Sequence, residues 1–167
     1  STQNYARIHY PSFNPQELTI ITSDEQTKGR GRFNRKWICP KGAGLATTYC
    51  FCLKPIPYSS SLITLVLALS ISEVLQKLGL LIKIKWPNDL YIHSKKVGGI
   101  LAEAEDTEHG KQFFLGYGLN VNLHPHHFEG QPFEATSLLI ETHREWEIPV
   151  LASSIEVTFK RDLQTFL

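Results

Sequence analysis

Gly29-Arg30-Gly31-Arg32-Phe33-Asn34-Arg35-Lys36-Trp37 is the stretch on which the fold assignment turns. With Lys28 it sets five cations, two glycines and a tryptophan within ten residues. Such a segment suits an anion. Glycine lets successive N–H groups turn toward one point, arginine supplies a planar fork of donors, and tryptophan supplies a flat face for a ring. A solvated basic loop would have the same composition, so the segment alone leaves both readings open. It does exclude two nucleotide folds. Asn34 stands where a dinucleotide turn carries its third glycine, and no Gly-x-x-x-x-Gly-Lys-Ser/Thr occurs in the chain, so neither a Rossmann turn nor a P-loop is present. Asn34 suits a left-handed backbone position instead.

Immediately upstream, residues 18–22 are a β-branched run of strand length, so the polar loop over 23–36 follows a strand directly. Ser1-Thr2 is placed to cap a short helix reaching about Tyr10, which Pro11 and Pro15 end. Downstream, 40–44 reads as a turn and 45–53, apolar and rich in Thr, Tyr and Phe, as a second, buried strand. Pro57 and Ser59-Ser60-Ser61 announce a helix over about 60–78, apolar nearly all round in its first half and ended by Gly79, which predicts a central buried helix.

Residues 81–86 alternate with period 2, putting Lys83 and Lys85 on one face and Ile82, Ile84 and Trp86 on the other. Pro87-Asn88-Asp89 is a turn. The runs 91–93 and 97–105 flank Ser94-Lys95-Lys96 as a hairpin, with Ile100, Ala102 and Ala104 on one face and Leu101, Glu103 and Glu105 on the other. A turn over 106–110 leads into a strand over 112–122 broken by glycines. Residues 123–132 are irregular. A short helix is expected over 136–142 and a longer one over 149–166, with Leu151, Ile155, Phe159, Leu163 and Phe166 on one stripe. Strands and helices without regular βαβ alternation predict an α+β domain: a mixed, mostly antiparallel sheet with helices packed on one side.

The length of 167 residues suits a single domain spanning 1–167, with 42% hydrophobic residues. Against 17 basic residues stand 16 acidic ones, so the positive charge is local to the loop and a general attraction to nucleic acid or anionic lipid is not expected. Cys39, Cys50 and Cys52 lack zinc-site pairing, no signal peptide is evident, and the longest apolar run, 62–71, is too short for a bilayer. A reducing, cytoplasmic setting without membrane or nucleic acid follows as the expectation.

Three further segments could carry chemistry. Lys85-Trp86-Pro87-Asn88-Asp89-Leu90 ends a strand in a proline turn that presents an amide and a carboxylate. Lys96-Val97-Gly98-Gly99-Ile100-Leu101 puts a lysine at the entry to a strand whose glycines admit a ligand to the backbone. Gly116-Tyr117-Gly118-Leu119-Asn120-Val121-Asn122 exposes a strand at two glycines, with its amides on one side. Each taken alone also fits an ordinary turn, bulge or strand.

In order, with the opening loop, these segments resemble the biotin protein ligases, whose pattern runs Gly-Arg-Gly-Arg-x-x-Arg-x-Trp, Lys-Trp-Pro-Asn-Asp, Lys-x-x-Gly-Ile-Leu and Gly-x-Asn-x-Asn. The resemblance covers residues 1 to about 122 and implies the catalytic fold shared with class II aminoacyl-tRNA synthetases. It implies a two-step reaction in which biotin and MgATP give biotinyl-5′-AMP and pyrophosphate, after which a lysine of the biotin carboxyl carrier protein of acetyl-CoA carboxylase attacks the mixed anhydride.

By family position the catalytic residues are Lys96, Arg32 and Asp89. The biotin contacts are Ser1, Thr2, Gln26, Gly29, Arg30, Lys96 and Gly99, and the ATP or adenylate contacts are Arg32, Arg35, Trp37, Asn88 and Asn120. Lys96 and Arg32 would supply the fixed cations where a carboxylate meets an α-phosphate. Trp37 would lie against the adenine, and Asp89 would orient Lys96 or help deprotonate the incoming amine. Mg²⁺ would be held mainly by ATP phosphates, with Asn120 beside it.

Phe33-Asn34 stands where the family carries Arg-Gly, and Gln3-Asn4 alters the segment after Ser-Thr. Neither an N-terminal helix-turn-helix domain nor a C-terminal β-barrel is expected, and the chain would act as a monomer or homodimer. Other readings stand beside this one: a relative that binds biotin, adenylate or the carrier domain without turnover, lipoate or octanoyl transfer, and a nucleic-acid module using the Arg-rich loop. The His124-Pro125-His126-His127 cluster has no second ligand group at zinc spacing. Cys50 and Cys52 share a strand face as small core residues. Glu103 either braces an arginine of the loop or stays solvated.

Overall fold

The computed structural model describes residues 1–54 and 61–167. In chain order the elements are α1 (Thr2–His9), β1 (Thr19–Ser23), β2 (Gly44–Leu53), α2 (Ser61–Lys77), β3 (Ile82–Lys85), β4 (Asp89–Ile92), β5 (Lys95–Thr107), β6 (Gly110–Asn120), α3 (Leu138–Thr142) and α4 (Ile148–Phe166). The strands form one sheet in the order β1-β2-β6-β5-β4-β3, and every strand pair in it is antiparallel. The expected α+β class holds, with the pairing antiparallel throughout rather than mixed.

The centre of the sheet explains the unbroken apolar runs. β2 is buried from Gly44 through Phe51 and β6 from Gln112 through Asn120, because both faces of these two strands are covered. On one face Tyr49, Phe51, Phe113 and Leu115 pack with Ile63, Leu67 and Ile71 of α2 and Leu151, Ile155 and Phe159 of α4. Tyr49 and Phe159 stack with ring centroids 4.8 Å apart. On the other face the short α1 sets Ala6 against Cys50 and Phe114. The two long helices thus share one side of the sheet, and α1 lies on the opposite one, where it also borders the site described below.

Several sequence expectations are sharpened or corrected. The start of the second helix near Ser60 lies outside the described residues. Within them α2 is amphipathic in its packing, not buried all round: Ile63, Leu67, Ile71 and Leu75 face the core while Leu62 and Leu69 are exposed, since only α4 and the sheet cover it. Its C-terminus closes at Gly79, where φ is +86° and the Leu80 N–H returns to the Leu75 carbonyl. Trp86 does not join the Ile82 and Ile84 face. β3 stops at Lys85 and Trp86 opens the turn, leaving its ring 77% exposed. The hairpin turn is only His93-Ser94, with Lys95 and Lys96 already in β5. β6 runs unbroken through Gly116 and Gly118, because its partners β2 and β5 supply a full ladder on both edges.

The 149–166 helix is α4, with Leu151, Ile155, Phe159 and Leu163 buried as its stripe predicts. The face alternation expected for 100–105 also holds, but Ala102 and Ala104 are exposed, whereas Leu101, Glu103 and Glu105 lie on the partly covered side facing α1. Among the described residues no helix is long and apolar enough to cross a membrane.

Candidate active site

The Arg-rich segment folds as a small arch over the α1 side of the sheet. Its neck is clipped by the Trp37 N–H to the Gly29 carbonyl (3.0 Å), the Gly31 N–H to the Arg35 carbonyl (2.7 Å) and an antiparallel bridge between Arg30 and Lys36. Its tip is a single 3-10 turn over Arg32–Asn34, in which Phe33 and Asn34 both take left-handed dihedrals, with φ of +56° and +57°. Asn34 meets the expectation for its residue type. For Phe33 the conformation costs about 1–2 kcal/mol, and its ring is 81% exposed beneath the Arg32 guanidinium, 5.1 Å from the ring centroid.

Under the arch lies a cavity of about 380 Å³. Its walls come from every segment singled out in the sequence: Ser1, Thr2 and Gln26; Arg30, Arg32, Arg35 and Trp37 of the arch; Asn88 and Asp89; Lys96 and Gly99; Gly116 and Gly118. Cations dominate this lining. Among the described residues Arg30, Arg32, Arg35, Lys36, Lys85 and Lys96 surround the cavity against the single carboxylate of Asp89.

Asp89 begins β4 opposite Gly99 of β5. One pair further on the register slips, so that Leu90 faces Gly98 but Tyr91 faces Lys96, and the bulge turns the Lys96 side chain back toward Asp89. Lys96 Nζ lies 2.7 Å from Asp89 Oδ1, with both side chains largely shielded from solvent. A Cβ at Gly99 would stand 3.4–3.5 Å from Asp89 Oδ1 and Lys96 Cε and Nζ, so a longer side chain would fill the space beside the pair. The ammonium also sits 5.9 Å from the Trp37 ring and 5.4 Å from that of Phe133. The Lys96 backbone is tied by its N–H to the Glu134 carbonyl and by its carbonyl to the Thr136 N–H.

Asn88 is fastened to β5 at both ends. Its side-chain amide donates to the Ile100 carbonyl (2.9 Å) and its own carbonyl accepts from the Ile100 N–H (2.8 Å). Its remaining oxygen accepts from Arg32 Nη1 at 3.2 Å, which ties an arch cation to the residue that precedes Asp89. The indole of Trp37 lies flat enough against β6 that a Cβ on Gly118 would overlap it.

The α1 end of the cavity is polar and fully connected. Ser1 caps the helix, accepting from the Asn4 N–H, and the Thr2 N–H donates to Gln26 Oε1 at 2.9 Å. Gln3, 4% exposed, donates to the Phe114 carbonyl (2.9 Å) and to Glu103 Oε2 (3.0 Å) and accepts from the Thr48 hydroxyl (3.2 Å). Arg30 spends its guanidinium on Glu103, at 2.7 and 2.9 Å, and on Asn4. Glu103 therefore braces the loop. Burial alone pushes its carboxyl up, but the hydrogen bonds from Arg30 and Gln3 and the charges of Arg30 and Arg7 outweigh burial and hold it below its ordinary value.

Two expected site residues do not line the cavity. Gly29 is buried at the foot of the arch, where a Cβ would collide with the Trp37 carbonyl. Asn120 is buried at the end of β6 and donates to the Thr136 carbonyl at 3.0 Å, so its amide anchors the segment that carries Phe133 and Glu134. Conversely, Gln3, Thr48 and Phe133 line the cavity without having been singled out as contacts. Thr48 sits in a strand buried on both sides, where no alternation marks the cavity face. Phe133 lies in an irregular stretch with no periodicity at all. For Gln3 a signal existed in its place directly after Ser1-Thr2.

Residues 1–120 match a family model described as the biotin/lipoate A/B protein ligase family. The chain is 39% identical over 103 residues to the bifunctional ligase/repressor BirA of Escherichia coli, an alignment covering 60% of this chain and 32% of that protein. To BirA of Bacillus subtilis it is 35% identical over 130 residues, covering 75% and 39%. It thus spans about a third of the length of these curated relatives. Among solved structures it is similar to the biotin protein ligase from Aquifex aeolicus in complex with biotin and ATP, with a TM-score of 0.79 and 32% identity over 99% of this chain and 67% of that one.

Proposed function

The chain belongs to the biotin/lipoate A/B protein ligase family, and from that premise we propose that it activates biotin with MgATP and passes it to one lysine of a carrier protein, the biotin carboxyl carrier protein of acetyl-CoA carboxylase. The biotin carboxylate oxygen attacks the α-phosphorus, the α–β phosphoanhydride bond breaks, and pyrophosphate leaves. The carrier lysine then attacks the acyl carbon of biotinyl-5′-AMP, forms an amide, loses a proton and releases AMP.

The single observation that carries this reading is that Lys96 and Arg32 line one cavity, the first held by Asp89 at 2.7 Å and the second by Asn88 at 3.2 Å. Two anions cannot approach one another in a partly dehydrated cleft without fixed cations there, and cations held in advance cost no reorganisation during the reaction. Lys96 takes the forming bond between carboxylate and phosphate, Arg32 the α-phosphate, and Arg35 the outer phosphates. Thr2, Gln26 and Gly99 border the biotin, and Trp37 presents its ring to the adenine. Mg²⁺ enters as part of the substrate MgATP with phosphate oxygens as its main ligands. The free thiols of Cys39, Cys50 and Cys52 suit a reducing compartment.

The test is incubation of the folded chain with ATP, radiolabelled biotin and a carrier domain. Label on the carrier supports both steps, adenylate alone supports the first, and no product from a folded sample contradicts the proposal.

A further inference from the structure

The biotin-facing residues are joined by a continuous hydrogen-bonded chain whose key member never touches the cavity. It runs from Gln26 to Thr2 (2.9 Å), from Thr2 to Thr48 (2.9 Å), from Thr48 to Gln3 (3.2 Å), from Gln3 to Glu103 (3.0 Å) and from Glu103 to Arg30 (2.7 Å). It starts at Gln26, three residues ahead of the foot of the arch, and finishes at Arg30 in its neck, crossing α1, β2 and β5 on the way. Glu103 is its hinge point. It is absent from the cavity wall, yet its carboxylate holds the arch through Arg30 and the floor through Gln3.

We propose that Glu103 is a positioning residue: its carboxylate fixes the Arg30 neck of the arch to Gln3, so that the arch, the N-terminus of α1 and the floor of the cavity hold one shape before ligand arrives. This rests on the functional reading above. The geometry favours a role for this pair beyond that of a surface ion pair. The side chains of Arg30 and Glu103 are only 25% and 23% exposed, and the guanidinium meets both carboxylate oxygens from Nη2 while Nε is taken by Asn4 at 2.9 Å. Held at two places, Arg30 has no freedom to swing, and contacts of this charge-assisted kind outlast exposed ones. Arg7, from α1, adds a looser contact to Glu103 at 3.5 Å. The arch tip beyond Arg30 makes one side-chain hydrogen bond to the body among the described residues, from Arg32 to Asn88. Losing Glu103 therefore removes the charged tie at the base of the arch and leaves the Arg30 guanidinium only its contact with Asn4, while the β5 ladder is not involved.

The experiment compares wild type with Glu103→Gln, which keeps size and loses charge, and with Arg30→Lys, which keeps charge and loses the fork. Trypsin cleavage after Arg32, Arg35 and Lys36, with the melting temperature measured in parallel, reads the arch without needing any activity. Both variants are expected to be cut about 10-fold faster, the effect of losing one charge-assisted contact, at melting temperatures high enough for a folded protein in the assay. In the ligase assay KM for biotin is expected to rise about 10-fold in Glu103→Gln, whose side chain lies off the cavity wall, while kcat for adenylate formation stays within about 3-fold. A structural role alone would lower the active fraction, and so kcat, with KM unmoved. Wild-type cleavage rates in both variants would overturn the proposal even if the chain proves to be no ligase. Faster cleavage with no adenylate formed by wild type would keep the latch and remove only the functional reading. If Glu103→Gln melts too early to assay, the trypsin cleavage rate of Arg30→Lys decides, because its side chain belongs to the arch and lies outside the sheet.

Discussion

Lys96 Nζ stands 2.7 Å from Asp89 Oδ1 across two paired strands, and the β-bulge between Leu90 and Tyr91 is what brings them together. An ammonium paired in this way keeps one orientation, which is what a cation must have if it is to stabilise charge developing between two reactants. Asp89 is thus bonded to the lysine rather than standing free as a base.

Lys96→Ala is expected to slow adenylate formation about 10²–10³-fold, the usual effect of removing one preorganised donor at a charged transition state. Asp89→Asn should lower the same step, and the double variant should be little worse than Lys96→Ala alone, because the two residues act as a unit. Single-turnover release of pyrophosphate measures this. If Asp89→Asn leaves adenylation intact and slows only transfer to the carrier, Asp89 works on the incoming amine instead.

Gly118→Ala sets a methyl group into the Trp37 indole. The ring must move, at a cost of about 1–3 kcal/mol in stability, and ATP should bind about 10-fold more weakly while biotin binding changes little. Titration calorimetry with each ligand separates the two. Unchanged ATP affinity would remove Trp37 from the adenine wall.

Arg32→Gly removes the tie from the arch tip to Asn88. On the proposed reading the arch then opens over the reactive intermediate, and unrelated proteins become biotinylated by escaped biotinyl-5′-AMP. Mass spectrometry of bystander proteins is the readout. Labelling confined to the carrier would mean that the arch does not retain the adenylate.

The Glu103 latch has a definite pH dependence. Its carboxyl is held below its ordinary value in the folded protein, against about 4.3 in the unfolded chain. The contribution is therefore complete above the unfolded value and is lost as pH falls through the lower folded one. The difference in urea midpoint between wild type and Glu103→Gln should be open at pH 7 and shrink as pH falls from the unfolded value through the lower folded one. A difference that stays constant down to pH 2 would mean that the carboxylate charge does not hold the arch.

Much of the site was legible because its chemistry depends on residue type. Arg32, Asn88, Asp89, Lys96 and Trp37 were recognisable in their segments before any contact between those segments was known, and all line one cavity. What was not legible depends on register and on burial. Nothing in Lys96-Val97-Gly98 announces the slip that aims Lys96 at Asp89. Thr48 stands next to Thr47 in a strand covered on both faces, so no period separates its cavity side from its core side. Trp86 continued the alternation of Ile82 and Ile84 on paper, but the strand ends before it and the ring is left in solvent. Arg30 read as a ligand contact from its motif, and only the distance to Glu103 reveals that its guanidinium is already committed.

The most direct test of the central claim is biotin-dependent exchange of labelled pyrophosphate into ATP, which reports reversible formation of biotinyl-5′-AMP and needs no carrier. Wild type is expected to catalyse exchange only when biotin is present, and Lys96→Ala to lose it by about 10²–10³-fold at an unchanged melting temperature. Folded wild-type protein that gives no exchange at saturating biotin and MgATP would contradict the account.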